Sequence, residues 1–351
     1  MSHFELWLKA YEENRKDILK ELRTYRQTIK NTSEKLPKNL LRQVTPGHHN
    51  LPGPHAFVDG GEGIRDLLGA AAYAVRGSAL IIDDVDKQKG RFARNIDIGV
   101  LPHDDHTKDR VELRREILEV DAATTAINDH NAKTLFLDGS LYVKARRQPA
   151  PVEEYKAYRK KFAALLRTCK NKNIRLIGVS EDTKSKLLTH HLKTQYDVEF
   201  PIFLTDASIL RMLAGKQTTF QTPFFTPQSL FEADEDLGRG FTVGFHTAYL
   251  QPTPLSLPLR IDIPDWDPNP QQLMDFTAYL TQGSRSYGYP VPLYLVHIDA
   301  HITPHQTDWS TEQLLMYIRK EDPDIADSIL HINRRENRPK GKNQTEEKNS
   351  S

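Results

Sequence analysis

LFLDGSL, residues 135–141, and its earlier counterpart FVDGG, residues 57–61, decide how this chain is read. Each is an apolar run that stops on an aspartate followed by glycine, Asp59 in the first and Asp138 in the second. Asp-Gly is a common turn dipeptide, so a turn accounts for either aspartate alone. A carboxylate at the mouth of a buried strand, however, is costly unless it accepts backbone N–H groups or binds a cation. Two such strand ends in one chain point to a divalent-metal centre.

The segments around these two runs supply the fold. AFVD is followed by AYAVRGSALIID, 72–83, and, after the turn-like KQKG, by the alternating RFARNIDIGVL, 91–101, which reads as its antiparallel neighbour. A helix is predicted from Lys108 to Asn128, with Val111, Ile117, Leu118 and Ala122 inward. Strand TLFLDGSLYVKA (134–145), a helix from Val152 to Cys169 and strand IRLIGVS (174–180) come next. Three strands, then helix, strand, helix, strand, is the order of an α/β fold with an RNase H-like mixed sheet flanked by helices.

Outside that block, Phe241–Leu250 and Leu257–Ile263 read as a further strand pair, and Gln271–Leu280, Ser310–Arg319 and Ile325–Ile332 as helices. Residues 1–45 read as an amphipathic helix and linker. Phe4, Tyr11, Ile18 and Tyr25 recur at heptad spacing beside Trp7, Leu8, Leu22 and Ile29, a stripe that needs a partner surface on its own domain or in a dimer. The RNase H-like domain spans 50–305, closing helices 306–335, and a polar tail without hydrophobes, expected to be disordered, 336–351.

Composition narrows the function. With 38% hydrophobic residues in 351, the chain can bury a large core, and no apolar run is long enough for a bilayer. The charged start MSHFELWLKAYEENRK is no signal peptide, which points to the cytoplasm. One cysteine, Cys169, excludes an intrachain disulfide and any multi-cysteine metal site. Forty-eight basic residues against 47 acidic leave a net charge of +1, so nucleic-acid binding has to come from a local groove. Basic clusters stand at Lys144, Arg146 and Arg147, at Arg159 to Lys161, and from Arg334 to Lys342; most such runs are solvated faces.

In an RNase H-like sheet the first and fourth strands are adjacent and parallel, so Asp59 and Asp138 converge, and the preceding helix contributes Glu116 or Glu119 from RREILEV. Two Asp and one Glu suit Mn²⁺ or Mg²⁺. Ions roughly 3.5–4 Å apart support in-line attack of water on a phosphodiester without a protein nucleophile. That suits a chain with no GxSxG and no P-loop motif. A different reading takes His297, His301 and His305 with Asp299 as a zinc centre of a hydrolase, against which Pro304 breaks the helix through the three histidines.

FVDGG, the LE of RREILEV, LFLDGSL, GVSEDTKS (178–185) and YGYPVPLYLVHIDAHI (287–302) together resemble the NurA family of DNA nucleases, over Phe57 to Ile302. The resemblance implies metal-site acids at Asp59, Glu119 and Asp138, a functional Tyr289, and His297 as a metal ligand or catalytic group. Glu119 is preferred to Glu116 because it follows Leu118. It further implies a Mn²⁺-dependent 5′ to 3′ exonuclease and single-strand endonuclease, a homodimer, and work with the hexameric HerA translocase in DNA end resection and double-strand break repair. The alternative in another class is a catalytically silent adaptor that binds DNA or HerA. Two departures stand out: DGG replaces the usual DGS, with Glu62 left to supply an oxygen through water, and the basic residue of the third strand motif is displaced to Lys184. Lys144, Arg146, Arg147 and Lys184 are the expected phosphate contacts.

Overall fold

The protein is described by a computed structural model covering residues 2–329 except 49–50, 88, 146–150, 182–183, 216–217, 228–230, 233–240 and 284–286. Its elements are α1 (His3–Ser33), β1 (His55–Leu67), β2 (Ala70–Ile82), β3 (Gly90–Pro102), α2 (Thr107–Asn128), β4 (Thr134–Asp138), α3 (Leu141–Ala145), α4 (Glu153–Asn171) and β5 (Arg175–Ser180). There follow α5 (Leu187–Tyr196), α6 (Asp206–Ala214), β6 (Phe220–Gln221), β7 (Phe231–Glu232), β8 (Thr242–Val243), β9 (Phe245–Gln251) and β10 (Leu259–Pro264). The described chain closes with α7 (Pro270–Leu280), α8 (Val291–Ala300), α9 (Pro304–Glu321) and α10 (Pro323–Ile329).

One eight-stranded sheet runs β3-β2-β1-β4-β5-β10-β9-β6. Strand β1 is antiparallel to β2 and parallel to β4, and β4 is parallel to β5, which is the expected RNase H-like core. The later strands extend the same sheet antiparallel through β10 and β9.

Strand periodicity assigns the two faces. Ala56, Val58, Leu135 and Leu137 pack on α2 and α4 through Leu113, Val120, Phe162 and Leu166. Their alternates, Phe57 and Phe136, stack at 4.9 Å on the other face and join Phe276 of α7 and Leu293 and Val296 of α8. A side chain two residues further along a strand stays on the same face. Asp59 and Asp138 therefore belong to the α8 side and Gly60 to the α2 side.

The expected strand 134–145 is shorter than its sequence suggested. It ends at Asp138, because Gly139 turns the chain with φ +88°, a conformation unfavourable for residues with a Cβ. The Ser140 hydroxyl then accepts the Val143 N–H at 3.0 Å, and LYVKA continues as the short helix α3. The apolar residues of LYVKA had mimicked a continuing strand. The expected helix at Ser310–Arg319 is the middle of α9; that at Ile325–Ile332 corresponds to α10, with its last residues outside the described ones, as is the tail 336–351.

Helix α1 opens on a capping box between Ser2 and Glu5. Its end is anchored on α6 and the residues just before it, where Ile29 clusters with Leu204 and Ile209, and Tyr25 meets Phe203 at 4.3 Å. The stripe before it is not covered by its own domain: Phe4, Trp7, Leu8, Tyr11 and Ile18 are exposed, Trp7 to 78%. Among the described residues no helix is long and apolar enough to cross a membrane.

Candidate metal centre

Asp59, Asp138 and His297 each present one ligand atom within 4.8 Å of the other two, the one such group of three among the described residues. Strand β1 delivers Asp59, the parallel β4 delivers Asp138, and α8 lays His297 across them. A carboxylate only accepts, so the His297 Nδ1 that lies 2.8 Å from Asp59 Oδ2 carries the proton. The other Asp59 oxygen accepts the Gly60 N–H at 2.7 Å. Tyr289, on the segment entering α8, donates its hydroxyl to Asp138 at 2.5 Å.

The charge balance of this cluster is unfavourable without a cation. Burial first, and the Asp59 carboxylate second, push the Asp138 carboxyl up to about 7 despite the Tyr289 hydrogen bond and the Lys144 charge. Its hydrogen bond to Asp59 raises the His297 imidazole above its ordinary value, and burial beside Asp138 holds the Tyr289 hydroxyl protonated. A set of two carboxylates and an imidazole, with excess negative charge, fits a hard or borderline divalent ion such as Mn²⁺ or Mg²⁺.

Helix α8 reaches Asp59 because residue 61 is glycine. A Cβ at Gly61 would lie 2.0 Å from the Ala300 carbonyl oxygen, so the serine that the resemblance leads one to expect has no room in this packing. The departure DGG is thus the counterpart of a closely seated α8. That seat is also clamped by Asp299, which accepts from Ser78 at 2.7 Å and from Arg94 at 2.6 Å, while Arg76 donates to the Asp299 carbonyl at 2.7 Å. Ser78 is the cross-strand partner of Asp59, so the clamp grips the strand pair at the level of the site.

Glu119 is close by but on the α2 side, its Cγ 2.7 Å from where a Gly60 Cβ would stand. Lys144 and Arg115 both pair with it. Arg115 also reaches Glu62 at 3.2 Å and Glu116 at 3.7 Å. Glu62 is thereby engaged on the α2 side by Arg115. Glu119 with neighbouring Glu116 and Glu62 raises the Arg115 guanidinium, and Glu119 raises the Lys144 ammonium, in both cases against their burial.

Lys144, expected on a DNA-facing rim, is instead folded inward by α3, its side chain only 11% exposed. Lys184 is exposed beyond β5, and Arg146 and Arg147 lie outside the described residues. The zinc reading loses its ligands: α8 ends at Ala300 before α9 starts at Pro304, His301 and His305 do not join the Asp59 group, and Asp299 is committed to Arg94. Cys169 is fully buried, with its thiol pushed up to about 12, and is inert as a nucleophile. The sequence reading passed over Arg115. Its signal was the four-residue spacing to Glu119 on one helix.

A NurA domain model matches residues 54–302 of the chain. No curated protein sequence matches it. Among solved structures, the NurA nuclease of Sulfolobus solfataricus superimposes with a TM-score of 0.67 at 14% identity, covering 92% of this chain and 98% of that one. A NurA structure with manganese has a TM-score of 0.57 at 12% identity, with 88% and 98% covered. One bound to dAMP and manganese has 0.53 at 13%, with 90% and 99% covered.

Proposed function

This chain belongs to the NurA family, and on that premise we propose that it is a divalent-metal-dependent deoxyribonuclease hydrolysing phosphodiester bonds, with Mn²⁺ as the preferred ion and Mg²⁺ as the alternative. The observation that carries the reading is the convergence of Asp59, Asp138 and His297 from β1, β4 and α8. These residues, with Glu119 alongside, would hold the ion, and a bound divalent ion supplies Lewis-acid charge to a phosphodiester and lowers the pKa of water. The manganese and dAMP found in two NurA structures support the same ligand chemistry here.

The chain's own groups divide the remaining work. His297 keeps a proton at Nδ1 against Asp59 and holds that carboxylate in place. Tyr289 orients Asp138 through its hydroxyl proton. Lys144 and Arg115 fix Glu119 at the border of the site, and the inward Lys144 charge favours the ionised form of Asp138. Family membership further supports a homodimer, 5′ to 3′ exonuclease with single-strand endonuclease activity, and a HerA-type hexameric partner in end resection.

The test is cleavage of labelled single- and double-stranded DNA with Mn²⁺, Mg²⁺ or chelator. Wild type should cut with Mn²⁺ and stop with chelator, and Asp59→Ala and Asp138→Ala should be inactive while still folded. Mn²⁺-dependent cutting retained by both variants would sink the metal-site assignment; a folded, DNA-binding wild type that never cuts would favour the silent adaptor.

A further inference from the structure

Three tyrosines of YGYPVPLY, 287–294, form a row that leads away from the carboxylates. Tyr289, buried, is tied to Asp138. The Tyr287 ring lies 5.9 Å from that of Tyr289 and 5.7 Å from that of Tyr294, which it meets edge to face at 71°. Tyr287 and Tyr294 are 44% and 43% exposed. The Tyr287 hydroxyl donates to Glu181, just past β5, at 2.6 Å, so the ring is pinned at its edge while much of its surface faces solvent. Tyr294 precedes His297 by three residues on α8, which puts both on one side of that helix.

Two adjoining aromatic rings held at the border of a polar site are costly to leave in water and suited to a planar apolar partner. Charge decides which part of a nucleic acid that partner is. The Glu181 carboxylate accepts from Tyr287, so a phosphate resting on that ring would be repelled, whereas an uncharged base would not be. Every base offers a π-face, but in a duplex that face is covered by the next pair.

Resting on the nuclease reading, we propose that Tyr287 and Tyr294 form a stacking platform for the nucleobase next to the phosphodiester held at Asp59, Asp138 and His297. The platform accepts any base and selects an unstacked one. It therefore favours single strands and frayed ends over blunt duplex, through binding rather than through the chemical step.

The experiment uses the full chain and an oligonucleotide carrying 2-aminopurine near its cleaved end. Binding is read by quenching with Ca²⁺ in place of Mn²⁺, and cleavage with Mn²⁺. Wild type should quench the probe in a single strand and less in a blunt duplex. Tyr287→Ala and Tyr294→Ala should each raise KM for the single strand about ten-fold, with a smaller change in kcat and loss of quenching. The Tyr287→Phe, Tyr294→Phe double variant keeps both rings and should retain the quench, which separates stacking from the Glu181 hydrogen bond. Wild-type cleavage with unaltered KM and quenching in both folded alanine variants would overturn the platform and leave the nuclease reading intact. A wild type that neither binds nor cuts DNA overturns both.

Discussion

The two faces of the sheet next to Asp59 handle charge in opposite ways. On the α2 face, Glu119, Glu116 and Glu62 are met by Arg115 and Lys144, cations the chain itself supplies. On the α8 face, Asp59 and Asp138 crowd each other, hydrogen-bonded by a titratable histidine and a tyrosine hydroxyl, with the Lys144 charge acting on Asp138 without pairing to it. On the first face each of the three carboxylates is paired with a cation of the chain; on the second, among the described residues, no fixed cation is paired with either aspartate, which leaves negative charge that an external cation can satisfy. A binding site is thus distinguished from a structural ion-pair cluster by what is missing from its charge balance, not by the number of its acids.

The most severe way to break this contrast is to remove the acid that borders both faces. Glu119→Gln should lower Mn²⁺-dependent DNA cleavage by up to about a hundred-fold, on the scale of a lost partner that supports the metal ligands. Glu116→Gln should be much milder, since three helix positions turn a side chain by about 60°. If steady-state assays show Glu116→Gln as the inactive variant, Glu119 is only a structural partner of Lys144.

Seating α8 is the next lever. Gly61→Ala drives a Cβ to 2.0 Å from the Ala300 backbone carbonyl, whereas Gly60→Ala meets side-chain atoms, the Glu119 Cγ at 2.7 Å and the Arg115 Cγ at 2.9 Å, which can shift more readily than backbone. Overpacking at backbone costs about 1–3 kcal/mol or more, so Gly61→Ala should unfold at clearly lower denaturant and lose Mn²⁺ binding, with Gly60→Ala affected less. Equal denaturation midpoints for the two would contradict the close approach of α8.

Removing a cation from the ion-paired face should cost stability. Lys144→Met leaves Glu119 short of one buried partner, and such losses amount to about 3 kcal/mol. Chemical denaturation of the metal-free protein at pH 7 measures it. An unchanged midpoint would mean that Arg115 alone suffices for Glu119.

The smallest effect is a pH signature of the α8 face. Asp138 has a folded-state pKa of about 7, above that of an unfolded aspartate, so between those values the folded chain holds a proton that the unfolded chain has released. Stability from this group is therefore greatest at low pH and is lost as pH rises through about 7. Asp138→Asn should raise the metal-free melting temperature at pH 8 by a few degrees and change it less at pH 5. Saturating Mn²⁺ should stabilise wild type and not the variant, by mass action. A higher metal-free melting temperature for wild type than for the variant at pH 8 would remove the carboxylate repulsion from the account.

Sequence by itself determined the topology and the two aspartates. The order of strands and helices, with period-two and period-3.6 apolar patterns, assigns neighbours locally, and parallel pairing of β1 with β4 then brings Asp59 and Asp138 to one end of the sheet. Only tertiary structure decided what meets them. His297 is more than two hundred residues from Asp59 along the chain, and its contact depends on Gly61 clearing space for Ala300 and on Asp299 gripping Ser78 and Arg94. The inward turn of Lys144 depends on a left-handed Gly139, while LYVKA taken alone continues a strand pattern. Periodicity reports which residues need burial, but the matching of charges across a sheet is a property of the assembled faces, and no short-range pattern encodes it.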